Sequence, residues 1–215
     1  MKKIRPEWAL LVLPVLYGVG LFGMIFYKSV FIPCTPFLLL LCFFCILWAQ
    51  KNKNPDFWRI VILAIAAGYG IELVGVTTGK VFGHYWYGSA LGPKVAGVPP
   101  LIGINWCMLL LGASSVTGHF LSDQSTTIKA LATAVLMTLL DAAMEPVCKA
   151  LDMWEWGAGM APLKNYLSWF VFSFLLSMVY YTFEAEHKNR VAFTVFVLQA
   201  IFFISLTGLR LANIF

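Results

Sequence analysis

Charge is what this chain has least of. Its 215 residues hold ten Asp and Glu and fifteen Lys and Arg, 12% together, against 60% hydrophobic residues and a mean hydropathy of +0.83. A soluble domain carries about 25% charged residues, so a soluble globular fold is excluded and a polytopic membrane protein remains. At roughly 20 residues per span, the length suits about seven helices with short loops and leaves nothing for a soluble domain. Cysteine is sparse and odd in number: Cys34, Cys42, Cys45, Cys107 and Cys148 lie mostly in apolar runs, so neither a disulfide framework nor a metal site follows. Cys42 and Cys45 have C-x-x-C spacing. LLLLCFFCILW offers none of the polar, accessible setting of a redox pair, and both read as packing residues. A cleavage site is missing too. The apolar run from 9 to about 27 is too long for a signal-peptide core and no A-x-A-like site follows, so an uncleaved first helix is expected. The net charge of +5 calls for no nucleic-acid partner, because basic residues at helix ends facing anionic lipid account for it.

What is present reads as an all-α fold, a single transmembrane domain over 1–215. Its helices are expected at about 9–27, 34–49, 57–78, 98–120, 128–149, 164–183 and 190–211. Gly18, Gly20 and Gly23 spell G-x-G-x-x-G, but no strand precedes them, so close helix packing is expected there instead of a dinucleotide site. Helices 1, 2 and 7 look like scaffold.

The informative stretch is 68–106. Glu72 sits inside the otherwise apolar third helix, where an ionisable side chain costs about 2.5–3.5 kcal/mol on insertion scales; it is either functional or a protonated Glu bonded between helices. Gly68, Gly75 and Gly79 share its helical face, leaving room for another helix or a flat ligand. Tyr85, Trp86 and Tyr87 follow in a loop, and Asn105 and Trp106 open the fourth helix. As interfacial residues the loop aromatics could equally be membrane anchors. In helix 5, Asp141 and Glu145 stand at i and i+4 on one face, and Pro146 disturbs the helix without ending it. Helices 3 and 5 run one way and helices 4 and 6 return. At 1.5 Å per residue, Glu72 is about 9 Å from Thr78 and Asp141 about 12 Å from Lys149. The three acids, Asn105, Asn165 and both aromatic loops therefore fall in one leaflet. VPPLIGINW and APLKNYLSW each place a Pro seven residues before a Trp, after YWY and WEW loops, which reads as a parallel repeat of helices 3–4 and 5–6. A cytoplasmic N-terminus puts nine of the fifteen basic residues inside and is the expected orientation.

The basic residues of the acid-bearing helices stand only at the helix ends, away from the acids. A carboxyl out of water without a cation, or beside another carboxyl, tends to keep its proton, so at least one of the three is expected to be neutral. A neutral acid beside a carboxylate suits protonation of an apolar substrate, and aromatic faces can stabilise the cation that forms.

Glu72-x-x-Gly75-x-x-Thr78-Gly79-x-x-Phe82-Gly83-x-Tyr85-x-Tyr87, Leu91-Gly92, Val98-Pro99, Trp106, Asp141-x-x-x-Glu145-Pro146, Trp154-x-Trp156 and Pro162-x-x-Asn165-x-x-x-Trp169 together resemble the carotenoid biosynthesis membrane family. The resemblance covers helices 3 to 6, about half of the chain. The last block departs from the family pattern: Gly159, Met160 and Ala161 stand before its Pro. The resemblance implies a carotenoid 1′,2′-hydratase, a hydro-lyase that adds water to the C1′=C2′ double bond of an acyclic end group without metal or redox cofactor. Asp141 or Glu145 would then be the acid, Glu72 the base or a water-orienting group, Asn105 and Asn165 water holders, and Tyr85, Tyr87, Trp106, Trp154 and Trp156 the pocket wall. It implies a lipophilic carotenoid and membrane lipid as partners, other carotenoid-pathway enzymes as neighbours, and a multi-pass place in the cell membrane. An apolar, elongated cavity open sideways to lipid is expected for so rigid a substrate. A lycopene-cyclase-type enzyme, capturing the same cation with a double bond, and a proton-coupled transporter are the alternatives.

Overall fold

The computed structural model describes residues 8–183 and 188–215. The basic residues Lys2, Lys3 and Arg5 that weigh in the expected orientation lie outside them. Seven long helices form: α1 (Ala9–Phe26), α3 (Thr35–Ala49), α4 (Pro55–Thr78), α5 (Leu101–Phe120), α6 (Thr126–Cys148), α7 (Leu163–Thr182) and α8 (Arg190–Leu211). A four-residue turn of helix, α2 (Lys28–Phe31), and a 3-10 turn, Ile32–Cys34, lead into α3, so that Lys28–Ala49 crosses as one 22-residue span. Six spans among the described residues are long and apolar enough to cross a membrane. The seventh helix, α7, has 20 residues but carries Lys164, Asn165 and several Ser and Tyr, which lower its hydropathy.

Local chemistry sets the helix starts. Asn54 caps α4 by accepting the Phe57 N–H at 2.9 Å, with Pro55 as the first helical residue. Asn189 accepts the N–H groups of Val191 and Ala192, both at 3.1 Å, at the head of α8. Gly79 ends α4 in a left-handed conformation (φ 64°), which turns the chain back over the site. Pro146 leaves α6 helical as far as Cys148.

α5 is the helix that the others enclose: 89% of its apolar stretch is buried, against 28% for α1. Its small residues permit this. A Cβ on Gly112 would stand 2.8 Å from the Phe196 Cβ of α8, and one on Gly103 would stand 2.5 Å from the Ile65 carbonyl of α4. The packing expected at Gly18, Gly20 and Gly23 is found only at Gly23, against Phe31; Gly18 meets nothing and Gly20 makes ordinary contact with Phe202.

α4 packs on α5, α6 packs on α7, and α8 lies against α5 and α6. The two helical hairpins are joined by something the sequence reading treats as loop. Strands β1 (Tyr85–Tyr87) and β2 (Trp154–Trp156) pair antiparallel, with Tyr85 opposite Trp156, Trp86 opposite Glu155 and Tyr87 opposite Trp154. The ribbon is pinned at its edge. Asp152 accepts the N–H and hydroxyl of Ser89, and the carbonyls of Met153 and Asp152 accept the N–H groups of Gly88 and Ala90. A Cβ on Gly88 would lie 2.2 Å from the Asp152 carbonyl, so only glycine permits the approach.

Candidate active site

The glycine face of α4 admits the protein's own aromatic rings. A Cβ at Gly68 would lie 2.4 Å from the Trp106 Cβ, and one at Gly75 2.7 Å from Phe82 and 2.9 Å from the Tyr85 hydroxyl. These rings close around Glu72, which is 3% exposed. Its Oε2 accepts from the Tyr85 hydroxyl at 2.5 Å and the Tyr87 hydroxyl at 2.7 Å, and its Oε1 accepts from Trp106 Nε1 at 3.0 Å. Burial first, and the neighbouring Glu72 carboxylate second, push both phenols well above the ordinary tyrosine value, so they stay O–H donors.

The second acidic centre is built on α6. Asp141 Oδ2 accepts from Asn165 Nδ2 of α7 at 2.8 Å, and the same amide lies 3.4 Å from Glu145 Oε1. Glu145 also accepts from Trp156 Nε1 at 2.6 Å and from Trp154 Nε1 at 3.3 Å. Among the described residues only Asp56–Arg59 and Lys149–Glu155 form ion pairs, so none of the three acids has a cation. Nor do the described residues place three or more His, Cys, Asp and Glu together to hold a metal ion.

Both centres face one cavity of about 20 Å³, room for about one water molecule. Glu72, Asp141, Glu145, Tyr85, Tyr87, Asn105, Trp154, Trp156 and Asn165 all line it. Asn105 lines the cavity too, and among the described residues it bonds to none of the carboxylates. Trp106 is the exception to the expected wall. It packs behind Glu72 and stacks on Trp169, ring centroids 4.0 Å apart and planes within 9°. Phe82, Ile102, Met144 and Trp169 complete the lining. Phe82 and Trp169 stand in the motif blocks, whereas nothing but their apolar character marks Ile102 and Met144.

The cavity's size corrects one expectation. Among the described residues, no long, lipid-open, apolar chamber surrounds the acids. Apolar spaces of about 200 Å³ exist elsewhere, one between α4 and α7 and one between α1, α3 and α8. Cys42 and Cys45 are buried packing residues, with Cys42 Sγ 3.7 Å from the Tyr17 hydroxyl.

Fold and site together define a polytopic membrane protein with a buried, cation-free carboxylate site under an aromatic ribbon. The chain belongs to the carotenoid biosynthesis protein family, whose model matches residues 34–214. It is also 35% identical over 107 residues to the bisanhydrobacterioruberin hydratase of Haloarcula japonica, a stretch that is 47% of this chain and 36% of that protein. The chain thus matches little more than a third of this relative's length. No solved structure matches it.

Proposed function

We propose that this protein is a carotenoid hydratase that adds water across the terminal C1′=C2′ double bond of an acyclic end group by acid–base catalysis. The observation that carries the reading is the set of three cation-free carboxyl groups on one water-sized, aromatic-walled cavity. The partial match to a hydratase supports it.

The donor sets divide the roles. Glu72 receives three donors, which suits an acceptor-only carboxylate and hence a base. Asp141 receives one, on Oδ2, leaving its other oxygen able to carry and deliver a proton. In the proposed step Asp141 gives its proton to C2′, the π pair becomes the new C–H bond, and a tertiary cation is left at C1′. The indoles of Trp154 and Trp156, which line the same cavity, would offer it electron-rich surfaces. A water held between Asn105 and Asn165 adds through oxygen and loses its proton to Glu72, giving the 1′-hydroxy product. Passage of that proton to Asp141 by way of Glu145 and solvent restores the start. Alkene plus water gives alcohol without gain or loss of electrons, so no redox partner enters the balance. The same reading has the protein in the cell membrane, N-terminus inside, with the site in the outer leaflet.

The test is expression in a lycopene-accumulating bacterium followed by mass spectrometry of the pigments. The reading expects products heavier by one water. Products of unchanged mass but altered absorption would point to cyclisation, and an unchanged profile, with γ-carotene also untouched in a matching host, would overturn the proposal.

A further inference from the structure

The acid cavity holds about one water, so an end group that reacts there must bring its long chain in from somewhere, and two apolar spaces are candidates. Neither shares a lining residue with the acid cavity, and the space between α1, α3 and α8 carries the polar side chains of Tyr17, Thr35 and Gln199. The groove between α4 and α7 is different. It is lined by apolar side chains and the bare backbone of Gly68. From Leu63 to Ile71 it runs about 12 Å along α4, at 1.5 Å per residue. Its mouth faces lipid, with Leu175 53% exposed. Its floor is Trp106, whose ring stacks at 4.0 Å on Trp169, and Trp169 lines the acid cavity. The stacked indoles therefore link the two spaces, Trp106 lining the groove and Trp169 the acid cavity.

We infer that the α4–α7 groove binds the polyene chain of the substrate, and that the Trp106–Trp169 pair is the partition that parts to admit the end group. The inference rests on the hydratase reading for the identity of the chain. The direction suits a rod. Leu63 lies nine residues before Glu72, about 13 Å deeper along the helix, so the groove leads from the acids towards the bilayer midplane. A carotenoid seated in it points one end at the acids and leaves its far end in lipid. The site reads one terminus and ignores the other. Trp106 is a positioning residue here, held by its bond to Glu72 until the end group displaces it.

The test fills the groove without touching the acids. Ala67 and Leu175 are exposed at its mouth, so Ala67→Trp and Leu175→Trp enlarge the groove wall without crowding the core; Leu38→Trp fills the other space as a control. Each variant is expressed in a carotenoid-accumulating host, and two quantities are read: carotenoid retained per purified protein, and hydrated product. A short isoprenoid bearing the same terminal double bond is assayed in parallel. Both groove variants are expected to lose retained carotenoid and long-substrate turnover by about tenfold, as losing burial of two methylene groups would. They are expected to hydrate the short substrate as the parent does, and Leu38→Trp is expected to behave as the parent. Unchanged carotenoid retention in both groove variants, retention of membrane lipid alone in the parent, or loss only in Leu38→Trp would each overturn the groove assignment. A parent that retains carotenoid in this groove yet hydrates nothing would leave the groove standing and remove the hydratase reading.

Discussion

Tyr85 and Trp156 face each other across the two-stranded ribbon, ring centroids 5.0 Å apart, and each reaches a different acid: Tyr85 bonds to Glu72 on α4 and Trp156 to Glu145 on α6. The ribbon thereby sets the spacing of the acidic centres that two separate helical hairpins supply.

Removing one phenol from Glu72 should be graded. Tyr85→Phe and Tyr87→Phe each delete one hydrogen bond to a carboxylate, and bonds to charged groups contribute about 1.5–3 kcal/mol, so turnover should fall by about 10- to 100-fold in each. The double variant should fall further. Both phenols are held above the ordinary value of 10.0, so neither should ionise below about pH 10, and a pH–rate profile should contain no limb that either single Phe variant abolishes.

The two helical glycines beside Glu72 should resist even a methyl group. Gly68→Ala and Gly75→Ala force a Cβ into Trp106 or Phe82 and should cost about 1–3 kcal/mol. Gly18→Ala and Gly70→Ala meet open space and should be neutral or slightly stabilising. Thermal unfolding in detergent distinguishes the two pairs.

Glu155 separates mere acidity from site membership. It stands opposite Trp86 and pairs with the exposed Lys149, so Glu155→Gln removes an exposed ion pair of about 0–1 kcal/mol and should leave turnover near normal. A severe loss would mean that the ribbon, and not the cavity, carries the chemistry.

How far the sequence foretold this arrangement depends on the length scale of each signal. Seven apolar segments of about 20 residues mark the helices, because lipid demands that length. The alternation of helix direction is enough to bring Glu72, Asp141, Glu145 and Asn165 to one end. The ribbon was not legible: three residues of Tyr-Trp-Tyr or Trp-Glu-Trp are too short for a period-2 pattern, and their pairing spans about 70 residues of chain. The place of Trp106 outside the acid cavity was hidden for a related reason. Helical periodicity places it near Glu72, but only the missing Cβ of Gly68 decides that it packs behind the acid. The size of the cavity depends on how these rings interlock, which no single segment encodes.

Solvent isotope offers a check on the order of events. Asp141 faces a cavity with room for water, so its proton exchanges, and hydration in deuterated water should leave one carbon-bound deuterium at C2′ of the product. Product without carbon-bound deuterium would rule out protonation from an exchangeable acid.

The most direct measurement compares hydrated carotenoid, by mass spectrometry, from hosts expressing the parent, Asp141→Asn, Glu145→Gln and Glu72→Gln at matched levels in the membrane. An amide keeps the shape and much of the hydrogen bonding but cannot deliver or take the proton, and general acid–base catalysis contributes about 10²–10⁴-fold. The account predicts losses of that order for Asp141→Asn and Glu72→Gln with normal accumulation, and a clear loss for Glu145→Gln. Near-normal hydration by all three variants would contradict it.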